Sequence, residues 1–157
     1  MDANLSPYQN VMNVARKKGE AVASLFPNDV VLSTDTIVCL DGKIYGKPKD
    51  RKDAYNTLAT FSGMTHEVVS GVSIISKKLN MTMYVKSYVT FKKLTKEMID
   101  DYLKTDEPYD KAGSYAIQGE GRSLIEGYSG SLDNIIGLPI EYIKDMLRVM
   151  LNEVENR

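Results

Sequence analysis

Three places in the 157-residue chain set charged or amide side chains beside apolar blocks: Asp35-Thr36, Gly46-Lys47, and Asp110-Lys111 with Gln118 a few residues on. A carboxylate and a few lysines suit chemistry on a polyanion. Ammonium groups neutralise phosphate oxygens, while a carboxylate holds a divalent cation or takes a proton from water. The same set suits acyl transfer poorly, because no G-x-S-x-G elbow supplies a serine nucleophile, and neither a Walker loop nor a dinucleotide fingerprint is present. His66 is the one histidine and Cys39 the one cysteine. A metal site would therefore draw on carboxylates and substrate oxygens, which points to magnesium or manganese rather than zinc. Two functions of different class fit these residues. One is a metal-assisted phosphate hydrolase, which needs Asp35 in the same cleft as the lysines. The other is a binding module that grips an anionic ligand without turnover, which does not.

The elements that must position these groups begin with Val30–Leu32 and Ile37–Leu40, short aliphatic blocks headed for buried strand on either side of Asp35. Asp41-Gly42 is the strongest hairpin signal, because a type I′ turn needs positive φ at both central residues. A two-residue turn makes paired positions sum to 83, which sets Thr36 opposite Lys47 and brings the Lys47 ammonium toward Asp35. A regular ladder would leave Asp35 and Lys47 on opposite faces, and a bulge near Gly46 would bring them together. The pattern leaves that phase open.

Upstream, Ser6-Pro7 opens a helix whose face carries Val11, Val14, Ala15, Lys18, Val22 and Leu25. Lys18 interrupts the stripe, either as a snorkelling side chain or as an ammonium aimed into a cleft. Downstream, Asp50 can cap a helix over Lys49–Phe61, and Glu67–Ser76 and Met81–Phe91 read as an antiparallel hairpin with one buried face. Thr95 can cap a short helix through Lys104, and Glu107 and Asp110 follow in a loop where they could meet a metal. Tyr109–Leu138 is rich in glycine, which suits short strands with turns as well as close backbone approach to a ligand. Leu138-Pro139 starts a final helix with Ile140, Ile143, Leu147, Met150 and Leu151 on its apolar stripe and Glu155-Asn156-Arg157 as a frayed end.

Composition is that of one domain spanning residues 1–157 and large enough to bury a core. A net charge of −1 argues against a bulk electrostatic role on nucleic acid or anionic membrane. No apolar run approaches the about 20 residues needed to span a bilayer, so a cytoplasmic protein is the default expectation. Cys39 has no second cysteine to pair with and reads as a small buried hydrophobe. The oligomeric state stays open, a homodimer among the options.

Five spaced segments together resemble the successive motifs of the Maf family. They are Ser33-Thr34-Asp35-Thr36-Ile37-Val38, Asp41-Gly42 with Gly46-Lys47-Pro48, Phe61-Ser62-Gly63-Met64-Thr65-His66-Glu67-Val68, Asp110-Lys111-Ala112-Gly113-Ser114-Tyr115-Ala116-Ile117-Gln118-Gly119, and Gly137-Leu138-Pro139. The resemblance implies an α/β fold with a mixed, curved sheet flanked by helices, two lobes around a cleft, related to inosine triphosphatases. It implies a nucleoside triphosphate pyrophosphatase that cuts between the α- and β-phosphates with a divalent metal. Asp35 would be proton acceptor and metal anchor. Lys18, Lys47 and Lys111 would line the phosphate cleft. Thr36 and Gln118 match the positions tied to base choice and resemble the branch that prefers dTTP and UTP. The runner-up is a nucleotide-binding or division-regulating protein without turnover.

One departure stands out. Family members begin with a strand leading to a Ser-x-Ser-Pro-Arg-Arg turn, whereas Ser6-Pro7 is followed here by Tyr8-Gln9. The chain is expected to start after that strand and to lack one specificity arginine. Weaker turnover than a full-length relative follows, because arginine contacts to phosphate stabilise the transition state.

Overall fold

The computed structural model describes residues 1–2 and 4–155, the last three as backbone alone. Among them, five strands form one sheet in the order β2-β1-β3-β4-β5, with β1 Val31–Leu40, β2 Lys43–Tyr45, β3 Thr65–Ile75, β4 Asn80–Phe91 and β5 Ile125–Ser129. Every pairing is antiparallel. This narrows the mixed sheet expected from the resemblance, while the α/β class and the flanking helices stand. The helices are α1 Pro7–Ala23, α2 Arg51–Phe61, α3 Lys96–Tyr102, α4 Leu132–Ile136 and α5 Ile140–Glu155. The expected fraying at Asn156 and Arg157 lies outside the described residues.

The β1–β2 turn follows the register read from Asp41-Gly42. Val38 faces Tyr45, Cys39 faces Ile44 and Leu40 faces Lys43, with φ of 50° at Asp41 and 78° at Gly42. The ladder stops there. From Val31 to Ile37, β1 pairs with β3 alone among the described strands, so its other edge is bare along that stretch.

Alternation divides the sheet into two faces. On one, α1 lies across β1 and β3. Its Val11 packs with Ile37 and Val69, and its Ala15 carbonyl accepts from the Ser33 hydroxyl at 2.7 Å. The approach is so close that a Cβ at Gly71 would run into the Val11 carbonyl. A capping box starts the helix: the Ser6 hydroxyl accepts from the Gln9 amide, and the Gln9 side chain accepts from the Ser6 amide. Tyr8 donates to Glu67 at 2.8 Å, Lys86 pairs with Glu67 at 3.2 Å, and Tyr8 stacks on Tyr84. These contacts pin the first turn of α1 to β3 and β4. Val22 within the helix and Leu25 beyond its end at Ala23 are both exposed instead of continuing the buried stripe.

The opposite face carries two apolar clusters. Leu58 and Phe61 of α2, with Ile99 and Tyr102 of α3, cover Val38, Val68, Val89 and Phe91. Ile143, Met146 and Met150 of α5 cover Val72 and Ile74. α4 stands between them, its Asn134 carbonyl accepting from Ser70 and the Gly137 carbonyl after it from Thr36. Asp50 and Thr95 cap α2 and α3 as expected, although α3 stops at Tyr102 rather than Lys104.

Candidate active site

Thr36 projects from β1 on the face away from α1, where its hydroxyl bonds Ser70 at 2.8 Å. Beside it opens a cavity of about 350 Å³ lined by Thr36, Lys47, Asp110, Lys111, Tyr115 and Gln118, with Val38, Val68, Ile135 and Ile136 among its apolar walls. Four expected site residues thus meet in one cavity: Thr36, Lys47, Lys111 and Gln118. Lys47 follows the end of β2. The Gly113 amide donates to the Gly46 carbonyl at 3.1 Å, tying the segment that carries Lys47 to the segment that carries Lys111.

Asp35 and Lys18 lie on the other face. Their side chains pair at 2.6 Å, with Asp35 half-buried and Lys18 exposed. The regular phase of β1 therefore holds: Asp35 points toward α1 and Thr36 toward the cavity, with no bulge to reunite Asp35 and Lys47. The amine beside Asp35 is Lys18 rather than Lys47. Lys18, which the resemblance sets in the phosphate cleft with Lys47 and Lys111, does not line this cavity: its exposed ammonium lies on the α1 face, paired with Asp35.

The bare edge of β1 runs past this junction. No described strand pairs with the outer side of β1 from Val31 to Ile37, the stretch that carries Asp35 and Thr36 on its opposite faces.

Asp110 is the one carboxylate lining the cavity among the described residues. It pairs with Lys111 at 2.5 Å, and Lys111 together with the field of Lys47 holds its carboxyl below the usual carboxylate range. Glu107, expected as a metal neighbour, is committed elsewhere. Its oxygens accept from the Tyr102 hydroxyl at 2.7 Å and from the Gly121 and Glu120 amides at 2.7 and 3.1 Å, so it ties a turn together.

Tyr115, a wall of the cavity that residue patterns did not single out, is held by His66. The ring Nε2 and the Tyr115 hydroxyl lie 2.7 Å apart. Phe61 stacks on the His66 ring at 4.3 Å and Phe91 meets it edge-on. Burial pushes the His66 pKa down to about 4 and raises that of Tyr115, so both groups are neutral near neutrality. α4, which supplies Ile135 and Ile136, was also hidden by its length.

Among the described residues no three of His, Cys, Asp and Glu converge. The donor set fits a hard cation that takes one or two carboxylates and fills its remaining positions with phosphate oxygens and water, as magnesium does.

Comparison with known proteins decides the family, since the Maf-like protein family matches residues 2–150. The chain belongs to the Maf family. Among curated Maf relatives, a dTTP/UTP pyrophosphatase of Bacillus pumilus (strain SAFR-032) is 45% identical over 140 residues, covering 89% of this chain and 74% of the relative. One from Bacillus cytotoxicus is 47% identical over 135 residues, covering 86% and 71%. Another, from Clostridioides difficile (strain 630), is 45% identical over 145 residues, covering 91% and 75%. The Maf match spans both the cavity and the Lys18–Asp35 pair. No helix among the described residues is long and apolar enough to cross a membrane.

Proposed function

We propose that this chain is a nucleoside triphosphate pyrophosphatase acting on dTTP and UTP, releasing the nucleoside monophosphate and pyrophosphate. The observation that carries the reading is the cavity shared by Lys47, Lys111, Thr36 and Gln118, opening beside the bare edge of β1 next to Asp35. The relatives named dTTP/UTP pyrophosphatase, each covered over more than two thirds of its length, support the same reading.

In this account the pyrimidine ring sits against the apolar walls, and Thr36 and Gln118 read its carbonyl and imide edge. A purine offers a different edge and leaves those polar groups unpaired, which is where discrimination comes from. Lys47 and Lys111 neutralise phosphate oxygens that gain charge as the anhydride breaks. The triphosphate passes the β1 edge, so that its α-phosphate comes within reach of Asp35. Asp35 accepts the proton of the attacking water, and Lys18, paired with it at 2.6 Å, fixes the carboxylate's orientation. A divalent ion bound with the triphosphate would supply further charge neutralisation, and Asp35 would be the residue to hold it where the chain of phosphates reaches the α1 face. Magnesium or manganese suits that role.

The test is a pyrophosphate-release assay on dTTP, UTP, CTP and GTP with magnesium and with manganese. Release from dTTP and UTP ahead of CTP and GTP is the expected result. No release from any of the four would overturn the reading.

A further inference from the structure

The cavity holds a carboxylate with no part in the scheme above. Asp110 faces the same space as Lys47 and Lys111, and it is more exposed than its half-buried partner Lys111. A carboxylate in a site for polyanions is a cost: it repels each phosphate that enters and competes for the ammonium groups that should hold it. Its structural connections do not account for it, because its side-chain partner is the neighbouring Lys111, whereas Glu107 three positions earlier is spent on a turn. A cavity that takes a triphosphate together with a divalent ion gives it a task, since such ions are commonly held by one or two carboxylates plus phosphate oxygens. Asp35 would meet that ion only where the triphosphate reaches the α1 face, because it projects toward α1 and is paired with Lys18, so on the cavity side Asp110 is the carboxylate within reach.

Resting on the pyrophosphatase reading, we infer that Asp110 is the cavity-side ligand for the divalent ion that accompanies the phosphates, exchanging Lys111 for the ion when they enter. Before binding, Asp110 and Lys111 neutralise each other. Once metal-bearing phosphates arrive, the ammonium turns to phosphate oxygen and the carboxylate to the metal, so no charge is left unmatched. Metal-free phosphates gain the ammonium but meet the carboxylate as a like charge. Asp110 would thereby make the cavity select metal-loaded phosphates over free ones.

Pyrophosphate binding, measured calorimetrically without turnover, isolates this. Its Kd is compared in magnesium and in EDTA for the natural sequence, for Asp110→Asn, and for Asp101→Asn as a charge control on the exposed face of α3. The natural sequence and Asp101→Asn should bind more tightly with magnesium. Asp110→Asn should lose about tenfold of that gain while binding metal-free pyrophosphate at least as well. An unchanged magnesium gain in Asp110→Asn would overturn the inference, and so would equal weakening with and without magnesium, which would mean that Asp110 only props up Lys111. If the natural sequence binds pyrophosphate under neither condition, the phosphate-site reading itself falls.

Discussion

The two faces of the sheet are built differently, although both place charge beside β1. On the α1 face, Lys18 and Asp35 sit on a helix and a strand that touch backbone to side chain, with Gly71 beneath Val11 and the Tyr8–Glu67–Lys86 network at the helix start. The pair there is fixed by regular elements. On the cavity face, Lys47, Asp110, Lys111 and Gln118 come from the segment after β2 and from the glycine-rich stretch, held by isolated bonds such as Gly113 to Gly46 and His66 to Tyr115. A carboxylate set on regular elements on one side and cations carried by connecting segments on the other suit a reaction in which proton transfer needs fixed geometry. Loops carried by a stable scaffold are where ligand contacts tend to lie.

That contrast can be broken from the cavity side first. Lys47→Met or Lys111→Met should each lower kcat for pyrophosphate release by about 10²-fold, the scale for removing one charge-stabilising donor, with thermal stability unchanged because both side chains reach solvent. A loss confined to KM would mean that the lysines bind ground state and transition state alike.

The His66 bond sharpens the contrast through pH. The folded pKa, about 4, lies below the ordinary 6.5, so the neutral ring favours folding above 6.5, and that stability is lost as pH falls toward 4. About 3 kcal/mol is at stake across that window. Denaturant unfolding at pH 7 and pH 4.5 should show His66→Gln losing less stability on acidification than the natural sequence. Equal losses would remove His66 as the origin.

On the α1 face, Gly71→Ala forces α1 off the sheet and should cost about 2 kcal/mol, read as a lower denaturation midpoint. Turnover should fall with it, as Lys18 retreats from Asp35. Smallest of all, Gln118→Ala should narrow the preference for UTP over GTP by about tenfold in kcat/KM, the scale of a polar contact to the base edge.

Much of the scaffold was legible in the residues because it depends on local chemistry. Asp41-Gly42 set the β1–β2 register, strict alternation from Met81 to Phe91 marked β4, and Ser6, Asp50 and Thr95 cap the helices they were expected to cap. The meeting of Thr36, Lys47, Lys111 and Gln118 was legible as a resemblance, through spaced motifs rather than periodicity. Other features depend on tertiary contacts. Which lysine faces Asp35 turns on where β2 stops and how α1 is laid over β1, neither of which is written in local pattern. Five residues of α4 are too few for a helical period to show, and Glu107 looked available for metal until its partners on the Glu120-Gly121 turn were seen.

The central claim is that the Asp35 carboxylate and the cavity on the far face act on a single triphosphate that passes the edge of β1. Asp35→Asn tests it most directly, through parallel measurement of dTTP binding and pyrophosphate release. The account predicts that binding stays within about threefold while release falls by at least about 10²-fold, the scale of a lost general base. Release at the natural rate from Asp35→Asn would contradict it.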